Sequence, residues 1–372
     1  MTDGKAPLDP YHLLHSRYSS KQYLRALQWI CTAGAIHILL VYSLTTAVIQ
    51  VHSIHFGKYI QLSGSIYGIL FASFIYLYPV FIMAFVRPEK LFWYVGSGFR
   101  WHLISRERLL FSFPILLLIP IVKSVYSSFK AEIPNLIPYT YDELFYRADQ
   151  WLSGGTDPWR ILHTWLGDPF VTTIIDTFYH TIWLYVLIGV VVWHAIGHHA
   201  LRTRVQFFVS YIVIWGLLGN LAAVLLSSAG PCYYTNVTGM PSPYEDLMLY
   251  LQSIGTGEDG LKALQTQDRL WQDHVGNILG YGGGISAMPS LHVATSMLFA
   301  LSIHKINIKW GILFFLYTLI IWIGSVHLAW HYAIDGLISI IFTWLIWIVV
   351  GKLVDLDRLL GKREPTTNPS PC

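Results

Sequence analysis

Residues 310–354 read WGILFFLYTLIIWIGSVHLAWHYAIDGLISIIFTWLIWIVVGKLV, two apolar runs parted by a short segment that holds two histidines and an acid. A helix needs about 20 apolar residues to cross the roughly 30 Å hydrocarbon core of a bilayer, and each run meets that length. Strands at such depth would leave backbone groups unpaired, so both runs are predicted to be helices. The chain therefore crosses, turns and crosses back. His327, His331 and Asp335 fall at the turn, on one membrane face.

Working outward, similar runs occur near 27–51, 62–86, 108–128, 171–193, 205–229 and 288–303, for a total of about eight. The composition agrees: of 372 residues 54% are hydrophobic and only 12% charged, where soluble domains carry about 25% charged. The expected fold class is all-α, a polytopic membrane protein without a separate soluble domain. A net charge of +3 with no basic cluster interleaved with aromatics excludes a nucleic-acid footprint. The polar lead before Leu27 lacks a short apolar core followed by a small-residue cleavage site, so the first run reads as a retained helix. Cys31, Cys232 and Cys372 suggest no disulfide framework.

Lysine and arginine collect in alternate connections: Lys5 to Arg25 in the lead, Arg87 to Arg106, Arg202 and Arg204, Lys305 and Lys309, and the tail from Lys352. The positive-inside rule places these segments and both termini in the cytoplasm. The segments 130–170 and 230–287 are net acidic and are expected on the opposite, extracytoplasmic side: periplasmic, extracellular or lumenal. As the two longest connections, they are also the places to look for function. Trp93, Tyr94, Trp101, Trp151 and Trp159 sit near run ends and read as an interfacial belt.

Ala287-Met288-Pro289-Ser290-Leu291-His292 opens one run, and some 40 residues later His327-Leu328-Ala329-Trp330-His331-Tyr332-Ala333-Ile334-Asp335 follows the next. One helical hairpin separates them, so His292 and His331 can meet at the same face. His331 and Asp335 are four apart, within side-chain reach on one face of a helix. A carboxylate on one imidazole nitrogen fixes the tautomer and leaves the other nitrogen free to attack. Pro289 suits a first helical turn, whose free amides form an anion site with Ser290 beside it. His292, one turn in, can then carry a proton to or from a reacting oxygen. Asp176 and His180, again four apart within a run, are costly in a membrane and form a second functional candidate, with a hydrogen-bonded strut between helices as the alternative. His194, His198 and His199 suggest a metal site by spacing, but no cysteine or carboxylate lies nearby in sequence, and no metal or other cofactor is expected. Gly282-Gly283-Gly284 lacks the residues of a nucleotide loop and reads as a hinge.

With these blocks in view the chain resembles the type-2 phosphatidic acid phosphatase superfamily, over roughly residues 108–350. That superfamily has a Pro-Ser-Gly-His block and a later His-x-x-x-Asp block around a six-helix core. The Pro-Ser-Leu-His form at Pro289 to His292 is closest to the branch that includes inositol phosphorylceramide synthases. The resemblance implies a catalytic core over 108–354, preceded by two additional helices in 1–107 and followed by a polar tail over 355–372. It also implies that His331 is the nucleophile that forms a phosphohistidine, Asp335 its orienting partner and His292 the acid/base. Two departures stand out. Ser325 occupies the position of an arginine six residues before the nucleophile, a role that His327 is a candidate to share, and the usual Lys-x-x-x-x-x-x-Arg-Pro block is missing. The phosphate-binding cation is therefore sought among Lys123, Lys130 and Arg147, close to a segment with Asp142, Asp149 and Leu152 that resembles an Asp-x-x-x-x-x-x-Asp-x-x-Leu element of the synthase-like branch.

The leading expectation is a lipid phosphotransferase that moves a phospho-headgroup between membrane lipids through a phosphohistidine. The alternatives are a lipid phosphate or prenyl diphosphate phosphatase with water as acceptor, and a non-catalytic transporter or scaffold of the same fold. The substrates expected are a phospholipid donor and a lipid or small hydroxyl acceptor.

Overall fold

The computed structural model describes residues 18–45, 58–85, 95–96, 106–255, 260–276, 278, 280 and 282–361. Trp93, Tyr94 and Trp101 and the tail beyond 361 lie outside these residues. Every regular element among the described residues is helical. Among the described residues seven helices have the length and apolar composition to cross a membrane: α1 (Ser20–Leu44), α2 (Tyr59–Ala84 within Lys58–Phe85), α3 (Leu109–Leu136 within Arg106–Leu136), α6 (Pro169–Ile196), α7 (Leu201–Leu225), α12 (Ile308–His327) and α13 (Ala333–Asp355). The eighth run forms α11 (Leu291–His304), 14 residues long. At 1.5 Å per residue it spans about 21 Å, short of the full hydrocarbon thickness.

The two long connections are folded. Between α3 and α6 stand α4 (Asp142–Leu152) and α5 (Pro158–Leu166). Between α7 and α11 stand α8 (Tyr234–Thr238), α9 (Glu245–Ile254) and α10 (Lys262–Val275). Their apolar faces pack on the ends of the membrane helices in a second core that includes Phe145, Leu247, Leu251, Met288, Val293 and Tyr332. Trp159 belongs to this core and is 5% exposed, so it is not part of an interfacial belt, whereas Trp151 is 82% exposed. The main core lies within the bundle, around Phe111, Val205, Phe208, Leu298 and Phe299.

α11 and α12 form the expected hairpin, and Asn307 caps α12 by accepting from the amides of Lys309 and Trp310. α13 packs on α11 and α7, and α1 packs on α3 and α7, while α2 leans on α3. π-Helical stretches run over Thr177–Ile182 in α6 and Ile214–Ala222 in α7. Such stretches are frequent at functional sites, because the extra residue per turn re-aims the side chains around it. α3 runs longer than its apolar run suggests and ends at Leu136. Lys130, expected in a connection, is therefore a helical residue two turns from Lys123.

Candidate active site

The start of α11 and the end of α12 stand at the same end of the bundle, and the connections α4 and α8 to α10 cover them. Pro289 lies ahead of α11, not in its first turn: Ser290 is the extended residue before the helix, and its carbonyl accepts from Ala294 N at 2.9 Å. The segment is pinned from outside the helix, because Ala287 N donates to Ser228 O at 2.9 Å and Met288 N donates to Ser228 Oγ at 3.2 Å. Ser290 is fully buried and does not line the cavity, whereas His292, two residues on, does.

His331 also differs from the simple helical reading. It precedes α13, whose N-cap is Tyr332, and Asp335 is the third residue of that helix. The carboxylate turns back to accept from Tyr332 N at 3.2 Å and lies 3.2 Å from Nδ1 of His331. The i,i+4 spacing therefore works across a helix start. Asp335 is fully buried. Ser325 supports the loop through its carbonyl, which accepts from the amides of Trp330 and His331, both at 3.0 Å. Burial depresses the His331 imidazole to about 3, the positive charge of Lys130 pushes the same way, and a hydrogen bond to the Ala287 backbone opposes them. The ring is thus neutral at physiological pH.

Two carboxylates of the connections hold this loop from above. Asp142 accepts from Ala229 N at 3.0 Å, from Gly230 N at 2.8 Å and from the Tyr332 hydroxyl at 2.8 Å. Asp149 accepts from Ala333 N at 2.6 Å and Ile334 N at 2.8 Å, the free amides of the first turn of α13. Burial raises both carboxyls, Asp149 to about 7, against the pull of these donors. Gly230 is tied to the same loop: its φ is +103°, and a Cβ there would stand 2.6 Å from the Trp330 carbonyl. The sequence segment with Asp142 and Asp149 is thus a brace for the His331 loop and does not itself line the cavity.

The cavity, about 410 Å³, is lined by His331 and His292, by His180, and by Lys123, Lys130 and Arg269. No aspartate or glutamate lines it among the described residues. Lys123 lies 4.9 Å from the centre of the Trp215 ring. Positive charge without a lining carboxylate favours an anionic ligand. The His292 ring is wedged between Tyr179 and Trp183, with centroids 4.5 Å and 3.9 Å away. His180 binds Asp176 through Nδ1 at 2.8 Å, and Asp176 also accepts from the amides of Lys262 and Ala263 at the start of α10.

Two expected residues and the histidines of the 194–199 segment stand elsewhere. Arg147 is exposed on α4 and pairs with Glu143 at 2.6 Å. His327 is buried behind the loop, 2.8 Å from the hydroxyl of Thr172, with its ring 4.3 Å from that of His163. His194 and His199 bind one another at 2.8 Å, and the other nitrogen of His194 meets Ser302 at 3.1 Å. Sequence reading missed Arg269, whose signal is its place in an amphipathic segment of the acidic connection. It also missed Tyr59, which lines the cavity from α2 and accepts from Gly282 N at 2.6 Å.

Comparison with known families matches the model of the PAP2 superfamily to residues 143–349. No curated protein and no solved structure matches the chain.

Proposed function

The chain belongs to the PAP2 superfamily, and we propose that it is a membrane phosphotransferase that moves a phospho-headgroup from a donor lipid to an acceptor hydroxyl through phospho-His331. The observation that carries this reading is an imidazole 3.2 Å from a buried carboxylate, at the wall of a cavity whose charged lining side chains among the described residues are all cationic. Asp335 accepts the hydrogen bond of Nδ1–H and so fixes the tautomer, which leaves the lone pair that attacks phosphorus on Nε2 of His331. His292 gives a proton to the departing oxygen. Lys130 and Lys123 balance the charge on the phosphoryl oxygens, in a transfer whose transition state asks mainly for positioning and positive charge. The Pro289-Ser290-Leu291-His292 block supports the inositol phosphorylceramide synthase-like branch, and the lysine and arginine distribution supports an extracytoplasmic site.

Purified chain is incubated with a headgroup-labelled phospholipid and a lipid alcohol. Headgroup-bearing product is the expected result. Free phospho-headgroup or inorganic phosphate alone would leave a hydrolase with water as acceptor, and no product above that of His331→Ala or a protein-free control would reject both enzymes in favour of a non-catalytic fold relative.

A further inference from the structure

Asp176 and His180 repeat on α6 the arrangement of Asp335 and His331. Nδ1 of His180 lies 2.8 Å from Oδ1 of Asp176. Lys262 N donates to one carboxylate oxygen at 2.8 Å and Ala263 N to the other at 3.0 Å, so the carboxylate is fixed in place. A carboxylate accepts and does not donate, which puts the imidazole proton on Nδ1 and the lone pair on Nε2. Nε2 is buried and meets no hydrogen-bond partner among the described residues, and the residue lines the same cavity as His292 and His331. A strut that caps α10 needs only Asp176, and leaves a buried, unpartnered lone pair on a cavity-lining residue unexplained.

We propose that His180 is the base that takes the proton of the acceptor in the second half of the reaction, a role that rests on the phosphohistidine reading above. The two proton carriers differ in how they are held. His292 is gripped by the faces of Tyr179 and Trp183, which leaves the ring nitrogens open to carry the proton that the leaving oxygen receives. Asp176 fixes His180 as an acceptor, and its ring stands 5.7 Å from that of Trp330, the neighbour of His331. In the step assigned to it, the acceptor O–H bond breaks and its proton moves to Nε2 of His180. The freed oxygen bonds to phosphorus, the P–N bond breaks, and its electron pair returns to Nε2 of His331. Asp176 balances the charge that the ring takes on. Solvent in the cavity returns the proton to His292, which lost one in the first half-reaction, and both rings are reset.

The test separates the half-reactions. Detergent-purified full-length chain is mixed with a donor phospholipid radiolabelled in its headgroup phosphate, without and then with a lipid alcohol as acceptor, and quenched in alkaline detergent, which preserves a phosphohistidine that acid would destroy. His180→Gln is expected to phosphorylate at close to the wild-type rate and to dephosphorylate roughly a hundredfold more slowly, so that labelled protein accumulates. Imidazole in the buffer is expected to restore turnover to His180→Gly, which a structural role would not allow. Asp176→Asn should also accumulate label, which gives a second reading if His180→Gln is poorly folded. Dephosphorylation in the folded variants as rapid as in wild type would overturn the proposal and leave the phosphohistidine reading intact. An absence of label in every variant would overturn that reading itself.

Discussion

Asp142 and Tyr332, 190 residues apart in the chain, share a 2.8 Å hydrogen bond, and the same carboxylate holds the amides of Ala229 and Gly230. The loop that carries His331 is therefore set by an acid from the connection between α3 and α6. Tyr332→Phe removes one charged hydrogen bond and is expected to cost about 1.5–3 kcal/mol. Asp142→Ala leaves three buried donors without their acceptor and should cost more, with a larger fall in kcat. Thermal unfolding in detergent and initial rates check both, and the order fails if Tyr332→Phe proves the worse of the two.

Asp335→Asn keeps the size of the side chain and removes its charge, so the tautomer of His331 is no longer enforced. The expected loss in kcat is about 10³–10⁴-fold, with little change in KM. His331→Ala should be at least as inactive. An Asp335→Asn enzyme within tenfold of wild type would show that the 3.2 Å contact is not what prepares the nucleophile.

Lys130 lines the cavity while Arg147 is exposed beside Glu143, and the two are expected to behave differently. Lys130→Met should lower kcat/KM by roughly 10² or more, as does the loss of a single charge-stabilising group in other sites. Lys123→Met should act in the same direction, while Arg147→Met stays within about twofold. Parallel kinetics on one lipid substrate decide, and equal effects at Lys130 and Arg147 would contradict the assignment of the cavity cations.

His331 gives a pH dependence of known sign. Its ordinary value of 6.5 is depressed to about 3 in the fold, chiefly by burial. A depressed value means that the folded state binds this proton less readily than the unfolded chain does, so stability is full above 6.5 and is lost as pH falls towards 3. At pH 4 the loss from this ring is on the order of 3 kcal/mol. Unfolding followed from pH 7 to pH 4 should show a steeper decline for wild type than for His331→Asn, and parallel curves would refute the shift.

The membrane helices were legible because a bilayer permits few alternatives: about 20 apolar residues at bilayer depth must be helical. The hairpin α11–α12 was legible for the same reason, and with it the approach of His292 and His331. Less could be read at the termini of elements. α3 continues past its apolar run to Leu136, which moved Lys130 from an expected connection onto a helix. The pairing of His331 with Asp335 had the right spacing, yet it forms across the start of α13 because Tyr332 is its cap.

By itself, the sequence determined an all-helical membrane protein and the pair of blocks from which the site is built, since hydropathy and short-range spacing are local properties. Only the tertiary structure decided which charges face the cavity, why Arg147 does not, and how Asp142 and Asp149 reach the His331 loop. Those contacts join residues far apart in the chain, and nothing in local composition records which distant amide or hydroxyl a buried carboxylate will satisfy.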